Sequence, residues 1–321
     1  MFRTLSTDLQ QKKMMDEAAS TTMRRLSVTL PSRISRRGFL YLMLLSACSA
    51  PTPTPQHRSL LVGTVSYDES SKSLDQYERF KRYLSERTQS LVELEPTLNE
   101  SRALAQIQRQ EWSLVFAPPG LTAIAISQHQ YIPLFPLFGV QGLRSVLVVR
   151  DDSPIQSIAA IAGKSLALGK PGSATGYYLP IFNLYGLTLS ELIFPPTPKA
   201  ILEAVVEGKA AVGAVSLEEF AAYKSQVTPF NLRILFTDVH PVPAGAVLIS
   251  PTIERNAQES IRKILSETPS VVAQEAGFVT NAPVPDYKYM ISVVERVRAI
   301  FPGDSKETAA LLQQKPVRLF K

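Results

Sequence analysis

From Ser59 onward, short apolar runs alternate with amphipathic stretches. "SLLVGTVSY" at 59–67 has the apolar content of a buried strand and runs out into small polar residues. "SLDQYERFKRYLSERT" follows at 73–88 with Leu74, Tyr77, Tyr83 and Leu84 on one side of a helix, and Ser73 and Gln76 can cap its start. The same reading predicts strands at 90–96, 113–119, 131–137, 143–150, 165–169, 191–194, 210–216, 232–237 and 245–250. Helices are predicted at 99–110, 120–128, 155–162, 176–187, 198–207 and 217–225, with mostly helical sequence after 250.

Strands and helices alternating at this interval predict an α/β fold of mostly parallel sheets flanked by helices. Two lobes suit the pattern better than one sheet. Long strands near 143–150 and 232–250 would cross between them, giving lobe 1 as 59–148 plus 245–321 and lobe 2 as 149–244. The carboxyl ends of the strands then face a cleft between the lobes, where hinge closure can trap a solute.

The start of the chain departs from this pattern. Residues 1–47 hold eight basic residues against three acidic ones, leaving 26 of the 34 basic residues against 25 of the 28 acidic ones in the remainder. The basic excess therefore belongs to a leader, and nucleic acid is not an expected partner. Arg36 and Arg37 precede an apolar core from Phe39 to Leu45 in a twin-arginine-like export signal. That core is short of the roughly 20 residues of a spanning helix, although an uncleaved anchor is the alternative. Cys48, the single cysteine of the chain, ends "LSAC", a lipobox pattern in which it would be lipidated and anchor the protein to a membrane. The leader is long enough that translation could start at Met1 or at Met23. Residues 48–58 read as a Pro/Thr-rich tether.

"GKPGSATGYYLP" at 169–180 is the chemically suggestive stretch. A P-loop carries its lysine after the last glycine, whereas Lys170 comes first here, and glycines at 169, 172 and 176 do not match G-x-G-x-x-G. The stretch lies between a strand and a helix, so unpaired N–H groups with the hydroxyls of Ser173 and Thr175 could hold a tetrahedral oxyanion. Simple helix capping explains the same residues equally well. The sequence has no H-E-x-x-H, no paired cysteines, no G-x-S-x-G and no acidic metal motif, so no catalytic residue, metal or cofactor is expected. Of the histidines, His57 is in the tether and His129 reads as a surface turn residue. His240 follows a strand and could face the cleft; Ser173, His240 and Asp238 could be drawn as a catalytic set, but nothing requires it.

Asp152-Ser153-Pro154-Ile155, Gly163-Lys164 and Gly172-Ser173-Ala174-Thr175-Gly176-Tyr177 together resemble the phosphate/phosphite/phosphonate-binding proteins of ABC importers. The resemblance extends over most of 59–300, including "AILEAVVEGKAAVGAVS" and "PVPAGAVLIS". It implies a two-lobed type II periplasmic-binding-protein fold, a non-enzymatic and monomeric receptor, and an ABC permease and ATPase as partners. On that basis Ser173, Ala174, Thr175, Gly176 and Tyr177 would bind the oxyanion from lobe 2, with Ser66, Tyr67, Ala117 and Pro118 facing it from lobe 1. Ser216 and His240 complete the candidate set. Ala211 stands where the family often has aspartate, and Ser216 where an acidic or aromatic residue often follows. Lacking that acid, the chain is expected to favour phosphate or phosphite over an amino-bearing phosphonate. A same-fold sensor or enzyme for another small anionic metabolite, of sulfonate or thiamine-precursor type, is the alternative.

Overall fold

The computed structural model describes residues 59–65, 74–98, 100–139, 142–302 and 306–320. The expected leader, the tether with Cys48, the helix cap at Ser73, and the candidates Ser66 and Tyr67 lie outside the described residues. In chain order the first elements are β1 (Ser59–Val65), α1 (Leu74–Thr88), β2 (Leu91–Thr97), α2 (Glu100–Gln108), β3 (Leu114–Ala117), α3 (Pro119–His129) and β4 (Ile132–Pro136). Next come β5 (Ser145–Arg150), β6 (Ser165–Ala167), a wide π-type turn (Ala174–Tyr178) running into α4 (Leu179–Asn183), β7 (Thr188–Leu189) and β8 (Glu191–Ile193). They are followed by α5 (Pro198–Val206), β9 (Val212–Ser216), α6 (Leu217–Tyr223) and β10 (Leu232–Thr237). The last elements are β11 (Ala246–Ile249), α7 (Arg255–Ser266), α8 (Ser270–Ala276), α9 (Lys288–Ile300), α10 (Lys306–Gln313) and β12 (Val317–Arg318).

Two five-stranded sheets result, ordered β2-β1-β3-β11-β4 and β10-β5-β9-β6-β8. Each has a parallel core of three strands, β2-β1-β3 in one and β9-β6-β8 in the other. Each is extended by antiparallel pairings of the strand that carries the chain across: β5 with β9 and β10, and β11 with β3 and β4. The crossing strands are mostly apolar because they are central: "VLVV" of β5 and "AVLI" of β11 are buried.

Pairing puts residues 145–148 in the second sheet, whereas the strand pattern alone assigned them to the first lobe. The chain beyond Lys288 also departs from that assignment. Met290, Val293, Val294, Val297 and Ile300 of α9 form an apolar stripe at helical spacing. They share one core with Leu147, Leu166 and Val212 of the second sheet and with Ala123 and Ile124 of α3, and β12 then pairs with β7. A second core is held by Phe80, Phe116 and Phe278, whose rings meet edge to face at 5.3–6.0 Å. The helix expected at 155–162 is reduced to a single 3-10 turn, Ala159–Ile161. Gly163, at φ +73°, follows directly on its end.

Glu95 on β2 ties the edge of the first sheet to α2. It accepts hydrogen bonds from Trp112 Nε1 at 2.9 Å, from Gln106 Nε2 at 2.9 and 2.7 Å, and from Arg102 at 3.1 Å. Burial acts to raise its pKa, but these hydrogen bonds and the charge of Arg102 outweigh it and hold the carboxyl below its ordinary range. A depressed folded-state value stabilises the protein above that range, and the contribution is lost as pH falls through it. Glu95→Gln should therefore cost about 1 kcal/mol at neutral pH and reduce the loss of stability on acidification. Urea unfolding followed by the emission of Trp112, the only tryptophan in the chain, measures both.

Candidate ligand-binding site

The loop that follows β6 is shaped by two glycines lying back to back. Gly169 N–H donates to the Gly176 carbonyl at 2.8 Å. A Cβ built on Gly176 would meet Gly169 Cα at 3.2 Å, and one on Gly169 would meet Gly176 Cα at 3.3 Å. The chain between them arcs through Gly172, whose φ of +98° lies in the left-handed region. Ser173 N–H donates to the Lys170 carbonyl at 3.1 Å. Ser173 Oγ accepts Gly176 N–H at 3.0 Å, capping the turn. The Ser173 carbonyl takes two N–H groups, from Tyr177 at 3.1 Å and Tyr178 at 3.0 Å, which widens the turn to the π type.

The helix expected from Gly176 to Leu187 is thus entered two residues earlier and is shorter. The N–H groups of Ala174 and Thr175 open the turn and have no acceptor within it. Ser145, the first residue of β5, donates its hydroxyl to the Thr175 carbonyl at 2.6 Å.

A cleft of about 450 Å³ lies against this loop. Val65, at the end of β1, and Pro118 and Pro119, at the start of α3, line it from the first sheet. From the second come residues of the 169–176 loop, Pro195 to Pro198, Ala214 of β9 and Glu219 of α6. Leu143 and Val242, one from each connecting segment, also line it and pair with each other. The prolines have no N–H, and Pro118 and Pro119 deprive α3 of donors at its first positions. Polar recognition in the cleft therefore falls mainly to the loop. Lys170 and Glu219 are the charged side chains among its lining residues.

Of the sequence candidates, Pro118, Ser173, Ala174, Thr175 and Gly176 line this cleft together. Ala117 does not; it is fully buried and its carbonyl accepts the Thr122 hydroxyl at 2.9 Å. Tyr177 is buried behind the loop, edge to face with Tyr178 at 5.2 Å. Ser216 is the buried N-cap of α6: its Oγ accepts Glu219 N–H at 3.1 Å, and its own N–H donates to Glu219 Oε2 at 2.7 Å. This capping box sets Glu219 in the first turn of α6, where it lines the cleft. The S-x-x-E spacing of Ser216 and Glu219 is the local sequence signature of this box. His240 is exposed, stacked on Tyr289 at 3.8 Å and bonded to Asp238. Asp238 is buried and also accepts Asn183 Nδ2 at 2.7 Å. The His240–Asp238 pair is real, but Ser173 is engaged with its own turn.

The loop also meets the first sheet's helices. A Cβ on Gly120, in the first turn of α3, would lie 2.9 Å from the Gly172 carbonyl and 2.9 Å from the Tyr178 ring. Tyr178 donates its hydroxyl to Glu100 Oε1, at the start of α2, at 2.7 Å in a buried setting. Among the described residues no group of His, Cys, Asp and Glu is arranged to hold a metal ion, and no helix is long and apolar enough to cross a membrane.

Residues 62–282 match the family model described as ABC transporter, phosphonate, periplasmic substrate-binding protein. No curated protein matches the chain. Among solved structures, XAC2383 from Xanthomonas citri bound to chloride ion is similar with a TM-score of 0.62 at 19% identity, over 75% of this chain and 99% of that one. A binding protein component of an ABC phosphonate transporter from Pseudomonas aeruginosa gives 0.54 at 14% identity, over 79% and 93%. PhnD1 from Prochlorococcus marinus in complex with methylphosphonate gives 0.51 at 16% identity, over 75% and 99%. At these identities the likeness is one of fold, the type II periplasmic-binding-protein fold.

Removing the Tyr178 hydroxyl leaves the buried Glu100 carboxylate short of a donor. Tyr178→Phe should lower stability by about 1–3 kcal/mol, read as a shift in the urea midpoint at unchanged slope.

Proposed function

Because the chain belongs to the periplasmic substrate-binding proteins of ABC phosphonate transporters, we propose that its cleft captures a small phosphorus oxyanion, phosphate, phosphite or phosphonate, for an ABC importer. The observation that carries this reading is the cradle itself. Ser173, Ala174, Thr175 and Gly176 line the cleft from one tight turn, and the walls around them are rich in proline and offer few donors. Capping and binding are compatible at Ser173: its Oγ accepts Gly176 N–H while its O–H remains able to donate to an anion. Ser66 and Tyr67 follow directly on Val65, which lines the cleft, and would add donors from the first sheet. Closure of the lobe built on the first sheet against the lobe built on the second around a bound anion is part of the same reading, as is export as a lipoprotein anchored through Cys48. Tyr177 would act from behind, by holding the turn.

Calorimetric titration with phosphate, phosphite and methylphosphonate tests the ligand class, and absence of heat with all three would overturn it. Thr175→Val and Ser173→Ala should each weaken the best ligand by roughly tenfold to a hundredfold, the worth of one charge-assisted hydrogen bond of about 1.5–3 kcal/mol. The anchor is tested separately. Cys48→Ala should move the protein from the membrane fraction to the soluble fraction and abolish labelling by a fatty-acid probe; unchanged fractionation counts against lipidation.

A further inference from the structure

Tyr178 ends the turn that carries the candidate cradle and reaches out of it. Its N–H donates to the Ser173 carbonyl at 3.0 Å, while its hydroxyl donates at 2.7 Å to Oε1 of Glu100, the first residue of α2. The turn belongs to the elements of the second sheet and α2 to those of the first. One buried side chain therefore joins the cradle to the opposite lobe. Gly120, in the first turn of α3, is packed on the same joint: a Cβ there would lie 2.9 Å from the Gly172 carbonyl oxygen and 2.9 Å from the Tyr178 ring.

The bond lies where the lobes would part. α2 follows the carboxyl end of β2, which runs parallel to β1, and the cradle follows the carboxyl end of β6. These ends border the cleft, since Val65 at the end of β1 and residues of the 169–176 loop line it. Parting them by about 1 Å takes a hydrogen bond of this length beyond bonding distance. The apolar core that α3 and α9 share with the second sheet is non-directional and accommodates small sliding. The Tyr178–Glu100 bond is directional and does not.

We propose that the Tyr178–Glu100 bond is an interlobe latch, which holds the cradle against the first lobe and raises affinity for the anion without touching it. The inference rests on the oxyanion reading above and assigns positioning residues to that site. A ligand gripped from both lobes binds only the joined arrangement, so its apparent affinity scales with the fraction of molecules in that arrangement. The latch raises that fraction. Anion binding and latch formation favour the same arrangement, so each strengthens the other.

The test titrates the full chain with phosphate, phosphite and methylphosphonate and follows the one that binds tightest. Tyr178→Phe should weaken it by about twofold to tenfold, the size of one net hydrogen bond, at unchanged binding stoichiometry. Small-angle scattering should give the ligand-free variant a larger radius of gyration than the ligand-free wild-type protein, and saturation should bring the two together. Glu100→Ala should match Tyr178→Phe, and the double variant should be no weaker than either single one. That cycle isolates the pair from the other contacts each residue makes. Glu100→Gln keeps a carbonyl acceptor and should restore most of the affinity lost in Glu100→Ala. If Tyr178→Phe fails to fold, judged by its thermal transition, Gly120→Ala carries the same comparison, because it wedges α3 from the loop and leaves both bonded groups in place. Lowered thermal stability with wild-type affinity and radius, or additive losses in the double variant, overturns the latch and leaves the oxyanion reading standing. No heat from the wild-type protein with any of the three anions overturns both.

Discussion

Two backbones pressed together at Gly169 and Gly176 hold the candidate site in shape. The hydrogen bond between them, at 2.8 Å, joins the exit of β6 to the first turn of the helix that follows. A Cβ at either position would lie 3.2–3.3 Å from the opposite Cα, tight enough that the facing backbone would have to give by a few tenths of an ångström. The six residues between are therefore closed into a small arc rather than free to follow solvent, and the entropic cost of ordering them is met in folding rather than in binding. The double acceptor at Ser173 and the buried Ser145–Thr175 bond fasten the same arc from within and from behind. A loop fixed on three sides holds its donors in position before any ligand arrives.

Ser145 also connects the cradle to the parts of the molecule that would move. It opens β5, the strand by which the chain first crosses to the second sheet, and its carbonyl accepts Asp238 N–H at 2.9 Å where the chain leaves to return. Asp238 in turn holds Asn183 of α4 and the His240 backbone and ring. Both connecting segments thus converge on a residue that grips the Thr175 carbonyl. On the other flank, the Tyr178–Glu100 bond and the close approach of Gly120 to Gly172 join the loop to the first sheet's helices. These contacts add to the core that α3 and α9 share with the second sheet. The His240–Asp238 pair fastens a connecting segment.

The parts that were legible in the sequence are those with local causes. Alternating apolar runs pointed to the two α/β sheets, and the glycines and hydroxyls of 169–176 pointed to a tight capped turn, because turn chemistry acts over a few residues. Long-range pairing was not legible in the same way. Nothing in "VRLF" announces that Val317 pairs with Leu189, and β5 reads as one apolar strand whichever sheet receives it. The π-type turn depends on one carbonyl accepting two N–H groups, which no periodicity encodes. Proline-rich 195–198 reads as a connection between elements and becomes a wall only when the second sheet folds.

The expected departure at Ala211 illustrates how a sequence position acquires meaning only through its place in a strand. Its N–H is bonded to Ser165, at 3.0 Å to the hydroxyl and 3.2 Å to the carbonyl. Ser165 begins β6, and β9 runs parallel to it, so residue 211 lies at the amino ends of these strands. The cradle follows their carboxyl ends, a full strand length away. An alanine there in place of aspartate says nothing about charge in the cleft, and the preference for a plain oxyanion loses its ground. The acid of this region is instead Glu219, one turn into the helix that β9 feeds, brought to the cleft by the cap at Ser216. The cleft thus carries one charge of each sign on separate, independently braced elements.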